Sequence, residues 1–127
     1  MLPPYARFLL IAAACGGAIA VAAQSSLSRA PREVVFVARE MAFYADGSSS
    51  PNADVHLRAG ERLTLVLVND DPGVAHDLVI PDWSVRVPLI RGKGRQQIEL
   101  TVPARRGTTR YSCTPHSRMM QGTIAVE

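Results

Sequence analysis

Short runs of β-branched and aromatic residues, separated by turn clusters at roughly ten-residue spacing, follow one another from Glu33 to the end of this chain. In Leu63–Val68, leucines alternate with threonine and valine, so we expect that strand to be buried on both faces. Helical periodicity nowhere extends beyond a turn or two. The pattern predicts about seven or eight short strands and an all-β fold, an antiparallel β-sandwich or barrel with Greek-key connections.

Proline, glycine and other turn-forming residues divide these runs. The clusters at 45–52, 59–61, 69–73 and 91–95 are expected to be loops or turns, and Pro81 ends the run that precedes it. The strand-like runs between them are Val34–Val37, Met41–Tyr44, Val55–Leu57, Leu63–Val68, Leu78–Ile80, Ile98–Val102, Tyr111–Thr114 and Thr123–Val126.

The N-terminal segment has a different character. Phe8–Ala23 is almost entirely apolar and small, follows Arg7, and ends on small residues before Gln24. That layout is typical of a secretory signal peptide. An uncleaved membrane anchor is the alternative, although the run is shorter than the roughly 20 residues that usually span a bilayer.

Lipidation at Cys15 is a third and less favoured reading, because Ala12 stands where lipoprotein signals usually carry leucine. We therefore expect residues 1–23 to form a signal peptide or membrane anchor, 24–32 a linker and 33–127 the folded domain. The protein would be exported, to the periplasm or the outer face of the cytoplasmic membrane.

Charge and cysteine content narrow the function further. The formal net charge is only +3, and the arginines are interleaved with acidic residues, so we expect no nucleic-acid partner, which would call for a dense basic stripe. The domain contains a single cysteine, Cys113, and so no internal disulfide is expected. A lone cysteine in an oxidising compartment is either buried and inert or chemically active.

The last 17 residues carry an unusual set of side chains. Cys113 is followed by His116, and then by Met119 and Met120. Thiolate, imidazole and thioether are donors that together suit copper, and the known electron-transfer arrangement needs a second histidine. His76 is the candidate, because it lies where the 69–73 turn gives way to the run Leu78–Ile80, and such loop–strand junctions cluster at the ends of a sandwich.

These segments resemble the cupredoxins, the small blue copper proteins that include plastocyanin, amicyanin, pseudoazurin and azurin. Cys113-Thr114-Pro115-His116 resembles the Cys-x-x-His loop of plastocyanin and amicyanin, and the chain from His116 to Ile124 resembles azurin's run into its last strand. The segment from Asn69 to Pro81 resembles the part of the family that holds the first histidine. The similarity extends over nearly the whole domain from about Met41.

The resemblance implies a cupredoxin-like Greek-key sandwich and one mononuclear type 1 copper per chain, with the ligands His76, Cys113, His116 and Met120. The family's Met-x-Gly frame selects Met120, whereas amicyanin's shorter spacing would select Met119.

His116 would be the electron port within an apolar rim of Pro72, Val74 and Pro115. The residue after the first histidine is usually asparagine but is Asp77 here, which can only accept hydrogen bonds when ionised and adds negative charge near the copper.

We expect no role in copper binding for three other polar or aromatic residues. His56 lies in an alternating strand and is expected at or near the surface. Trp83 is expected to be a packing residue below the site. Arg118 would contact a partner or be a solvated arginine.

The resemblance implies an electron carrier rather than an enzyme, a monomeric domain that shuttles single electrons between redox partners of the cytochrome or oxidase type. The alternatives are a periplasmic copper chaperone or storage protein, or the electron-donating subunit of a larger copper enzyme. A catalytic copper would need further histidines, and the chain has three in all. A binuclear centre would need a second cysteine near Cys113.

Overall fold

The structure is a computed structural model that describes residues 29–127. The expected signal peptide or anchor at 1–23 and residues 24–28 of the expected linker lie outside the described residues. Residues 29–31 carry no regular secondary structure, and the first strand begins at Arg32. Within 29–127 no helix has the length and apolar character needed to cross a membrane.

Nine strands and one short 3-10 helix make up the described part of the chain. They are β1 (Arg32–Arg39), β2 (Ala42–Ala45), β3 (Val55–Leu57), β4 (Arg62–Asn69), β5 (Ala75–Ile80), the 3-10 helix Pro81–Trp83, β6 (Val85–Arg91), β7 (Gly94–Thr101), β8 (Gly107–Ser112) and β9 (Gln121–Val126).

The strands form two sheets packed face to face, which confirms the predicted all-β sandwich. One sheet has the order β2-β1-β4-β7, and the other has the order β3-β9-β8-β5-β6. The sheets are mixed rather than wholly antiparallel, because β1 pairs with β4, and β3 with β9, in parallel. Both parallel pairs join strands that are distant in sequence, which local patterning does not reveal.

The core lies between the sheets and contains an aromatic cluster. Phe36, Phe43 and Tyr111 meet edge to face, with ring centroids 4.9 to 5.9 Å apart. Such pairs each contribute about 0.5–1.5 kcal/mol beyond the area they bury. The cluster ties β1 and β2 of one sheet to β8 of the other, and β8 leads directly to Cys113.

Tyr111 also fixes the pairing of β8 with β9. It lies opposite Gly122, and its hydroxyl donates to the backbone carbonyl of Ala53 at 2.8 Å. A Cβ placed on Gly122 would lie 2.3 Å from the Tyr111 hydroxyl oxygen. Glycine is therefore required here by the close approach of the ring.

Strand β6 is the element that the sequence pattern does not predict. Val87 and Ile90 are both buried, with Pro88 and Leu89 exposed between them, so strict alternation is broken. The register with β5 shifts between His76 and Leu78, which marks a β-bulge on β6. Pro88 is tolerated because β6 is the edge strand of its sheet.

Candidate metal centre

Three potential metal donors converge at one end of the sandwich. The ligand atoms of His76, Cys113 and His116 all lie within 4.8 Å of one another. Cys113 Sγ is 3.7 Å from His76 Nδ1 and 3.6 Å from His116 Nδ1. His76 and Cys113 are fully buried, whereas His116 is half-buried. The convergence follows from topology, because β5 begins at the end of the sandwich where β8 finishes and β9 begins.

His76 lies second in β5, and its orientation is fixed by the loop that precedes it. Its Nε2 atom is 2.9 Å from the Asp71 carboxylate. With the proton on Nε2, Nδ1 presents its lone pair toward Cys113. A carboxylate behind a metal-binding histidine sets both its tautomer and its ring direction.

Asp71 is itself held by the turn between β1 and β2. Its Oδ1 atom accepts the backbone N–H of Glu40 at 2.9 Å, and Glu40 and Met41 both have positive φ angles. Burial opposes ionisation of this carboxyl, but the N–H groups of the turn and the His76 imidazole outweigh it and lower the pKa of Asp71 below its ordinary value. Sequence patterning does not single out Asp71, which it places only in a turn cluster.

Asn69 holds the same loop from its other side. This buried residue donates from Nδ2 to the carbonyl oxygens of Val74 at 2.7 Å and Ile90 at 3.1 Å. Its Oδ1 atom accepts the N–H of Asp71. The loop that carries His76 is therefore tied to β6 as well as to the β1–β2 turn.

Cys113, His116 and Met120 lie on one tight loop between β8 and β9. The Cys113 N–H donates to the Met120 carbonyl at 3.0 Å, and this bond closes the base of the loop. The N–H groups of Met119 and Met120 both donate to the His116 carbonyl. The loop is thus a compact hydrogen-bonded turn that directs Cys113 inward and leaves His116 half-exposed.

The two methionines have opposite environments. Met120 is fully buried in the core that also contains Cys113, whereas the Met119 side chain is 55% exposed. The Met119 carbonyl accepts a hydrogen bond from Asn52 Nδ2 at 2.8 Å, which anchors the loop to the segment after β2. Of the two methionines, Met120 therefore shares the buried environment of Cys113.

Burial also controls the Cys113 thiol. Removal from water raises the pKa of Cys113, and the backbone N–H groups of Asp77 and His116 oppose this by stabilising the thiolate. Cys113 is buried and free, and it forms no disulfide within residues 29–127. A metal cation that replaces the thiol proton would stabilise the thiolate against the cost of burial.

Asp77 links the two ligand segments through its carboxylate. Its carboxylate is buried, and it accepts the N–H of Thr114 at 2.6 Å. It also accepts a short hydrogen bond from Arg86 Nη1. Arg86 went unrecognised in the sequence because it belongs to the unpredicted strand β6.

The remaining sequence candidates fall in varied places. His56 is exposed and pairs with Glu127, as expected of a surface histidine. Trp83 packs against the core, as expected. It follows Ile80, however, and so lies beyond the end of β5 that is farther from His76. Pro72, Pro115 and Arg118 are exposed at the end that holds the donors, and Val74 is half-buried there.

The donor set decides which metal this site suits. Two imidazole nitrogens and one thiolate, with a buried thioether on the same loop, are the soft and borderline donors that select copper over the hard, oxygen-preferring cations. Within residues 29–127, the group of converging donors consists of two imidazoles and one thiol and includes no carboxylate. The residues therefore fit one copper ion per chain.

Comparison with known proteins agrees with this chemistry. The model of the copper-binding proteins of the plastocyanin/azurin family matches residues 27–127. No curated protein sequence gave a significant match.

Several solved blue copper proteins share the fold. Auracyanin A from the green thermophilic photosynthetic bacterium Chloroflexus aurantiacus is 19% identical with a TM-score of 0.63, over 76% of this chain and 99% of that one. The auracyanin of Roseiflexus castenholzii is 16% identical with a TM-score of 0.62, over 76% and 97% of the two chains. An oxidised amicyanin variant is 20% identical with a TM-score of 0.51, over 81% and 88%. The chain therefore belongs to the plastocyanin/azurin family of copper-binding proteins.

Proposed function

We propose that this protein is a one-electron carrier with a mononuclear type 1 copper site, whose ligands are His76, Cys113, His116 and Met120. The observation that carries the proposal is the convergence of two imidazoles and a thiol within 4.8 Å of one another. The fully buried Met120 at the end of the same loop supports its assignment as the axial ligand in place of Met119.

Bound copper would supply the one-electron couple, and the protein's own groups would keep the ligands still. Asp71 fixes His76, and Asp77 fixes the backbone beside Cys113. Three ligands are also joined by the hydrogen bonds of one short loop. Such support favours fast transfer, because little movement accompanies a change in charge.

His116 is the proposed electron port. It is the only half-buried member of the three converging donors, and exposed Pro72 and Pro115 lie at the same end of the sandwich. Exposed Met119 adds apolar surface there. A small apolar surface of this kind suits brief encounters with a redox protein of the cytochrome or oxidase type.

The cellular setting is proposed from the sequence. Phe8–Ala23 would direct export and would then be cleaved or remain as an anchor, so the domain would work in the periplasm or at the outer face of the cytoplasmic membrane. We propose a monomeric domain that performs no catalysis of its own.

Titration of the purified protein with Cu(II), followed by visible and paramagnetic resonance spectra, tests this function. One equivalent should produce the intense thiolate-to-copper band, and Cys113→Ser should abolish it. His56→Gln, which removes an exposed histidine, should leave the band unchanged. Tight binding of Cu(I) with no band on oxidation would instead support a copper chaperone, and no copper binding in either state would reject both.

A further inference from the structure

Asp77 places a buried carboxylate directly beside a proposed copper ligand. Its side chain is 1% exposed, and it follows His76 in the chain. A carboxylate in this position is costly without a counter-charge. It would also oppose reduction of a nearby copper ion, because reduction removes one positive charge.

The counter-charge comes from the neighbouring edge strand. Val79 pairs with Arg86 across β5 and β6, so Arg86 lies diagonally across from Asp77 on the outer face of the sheet. Its Nη1 atom donates to Asp77 Oδ2 and lies 3.3 Å from the Thr114 hydroxyl oxygen. The other Asp77 oxygen accepts the Thr114 N–H.

Both residues bound by Arg86 are chain neighbours of proposed ligands. Asp77 follows His76, and Thr114 follows Cys113. One guanidinium, 57% exposed at the surface, therefore reaches both ligand segments from outside. It can neutralise the buried carboxylate and also hold the two segments in register.

We propose that Arg86 is a positioning residue that sets the reduction potential of the copper through Asp77. The inference rests on the proposed function. With Arg86 in place, Asp77 still links the two ligand segments, and the Asp77–Arg86 ion pair carries little net charge. Without Arg86, the same tie leaves one negative charge beside the copper.

Reduction potentials of four variants test the proposal. Arg86→Gln should lower the potential, because the uncompensated carboxylate favours Cu(II). Asp77→Asn should raise it while preserving an acceptor for the Thr114 N–H. The double variant should return close to the wild-type value. Arg95→Gln is the matched control, since Arg95 is 51% exposed and pairs with Glu33 in the other sheet. Equal shifts for Arg86→Gln and Arg95→Gln, or a double variant whose potential stays as far from the wild-type value as that of either single variant, would overturn the inference.

Urea unfolding of the copper-free protein supplies a second readout. Arg86→Gln should raise the unfolding equilibrium constant at least about tenfold when Asp77 is present, because a buried carboxylate loses its counter-charge. In the Asp77→Asn background the same substitution should raise it less than about threefold. Equal effects in the two backgrounds would contradict the coupling. A wild-type protein without the blue band would reject the proposed function, whereas a blue protein with unshifted Arg86→Gln potential rejects only the inference.

Discussion

The Asp71 carboxylate lies 2.9 Å from Nε2 of His76, on the side of the ring that faces away from Cys113. The β1–β2 turn holds that carboxylate through the N–H of Glu40. A proposed copper ligand is thus oriented by a hairpin turn to which no ligand belongs.

Replacement of Asp71 by asparagine should weaken copper binding about 10- to 100-fold, because the hydrogen bond behind His76 loses its charge. Competition with a chelator measures this affinity. Asp70→Asn is the matched control, since Asp70 is exposed and pairs with Lys93. Affinities of the two variants within about twofold of each other would contradict the role of Asp71.

The axial position can be read from two adjacent substitutions. Met120→Leu should shift the visible spectrum and raise the reduction potential, because a buried thioether is replaced by a group that cannot donate. Met119→Leu should change neither, since that side chain is mostly exposed. A spectral shift in the Met119 variant alone would assign the ligand to Met119.

Gly122→Ala should destabilise the protein by about 1–3 kcal/mol, because the new methyl group collides with the Tyr111 ring. Thr123→Ala, at the next position of β9, should cost far less. Urea unfolding of the copper-free proteins gives both values. A fully stable Gly122 variant would show that the ring moves freely, and the aromatic cluster would then not fix the β8–β9 pairing.

Tyr111 predicts a dependence of stability on alkaline pH. Burial, reinforced by the Asp54 charge, raises the pKa of Tyr111 from 10.0 to about 12. Because the folded-state pKa is the higher one, its contribution to stability is complete below about pH 10 and is lost as the pH rises through about 12.

Tyr111→Phe tests this dependence. The variant should be less stable than the wild type by about 1 kcal/mol at neutral pH, since the Ala53 carbonyl loses its donor. The advantage of the wild type in the free energy of unfolding should shrink as the pH rises above about 10 and should reverse in sign before about pH 12. A difference that stays constant over that range would show that Tyr111 titrates like an exposed tyrosine.

The sequence predicts most of the sandwich, because the regular apolar patterns of strands such as β4 and β9 can be recognised without knowing which strands they pair with. It misses β6, because the bulge at Pro88 and Leu89 breaks the alternation on which the prediction depends. The parallel pairing of β1 with β4 is equally hidden, since pairing between distant strands depends on the whole fold.

The proposed ligands were accessible from the sequence because Cys113, His116 and Met120 are crowded into eight residues and resemble a known family. The residues that support them were not. Arg86 acts across strands, and Asp71 acts through a loop, so neither has a local signature. The sequence pointed to Asp77 only as a departure from the family, and its counter-charge is visible only once β5 and β6 are paired.

The hydrogen bond from the Cys113 N–H to the Met120 carbonyl has an evolutionary consequence. This bond joins the two ends of the ligand loop, so β8 and β9 keep their spacing at the base of the loop whatever residues lie between. A loop of different length or sequence could join these two points without altering the pairing of β8 with β9, provided that it keeps the bond of the Thr114 N–H to Asp77 and that of Asn52 to the Met119 carbonyl. This protein would therefore accept a transplanted loop as a module, and a lineage that carries it could vary its copper site while its scaffold stays unchanged.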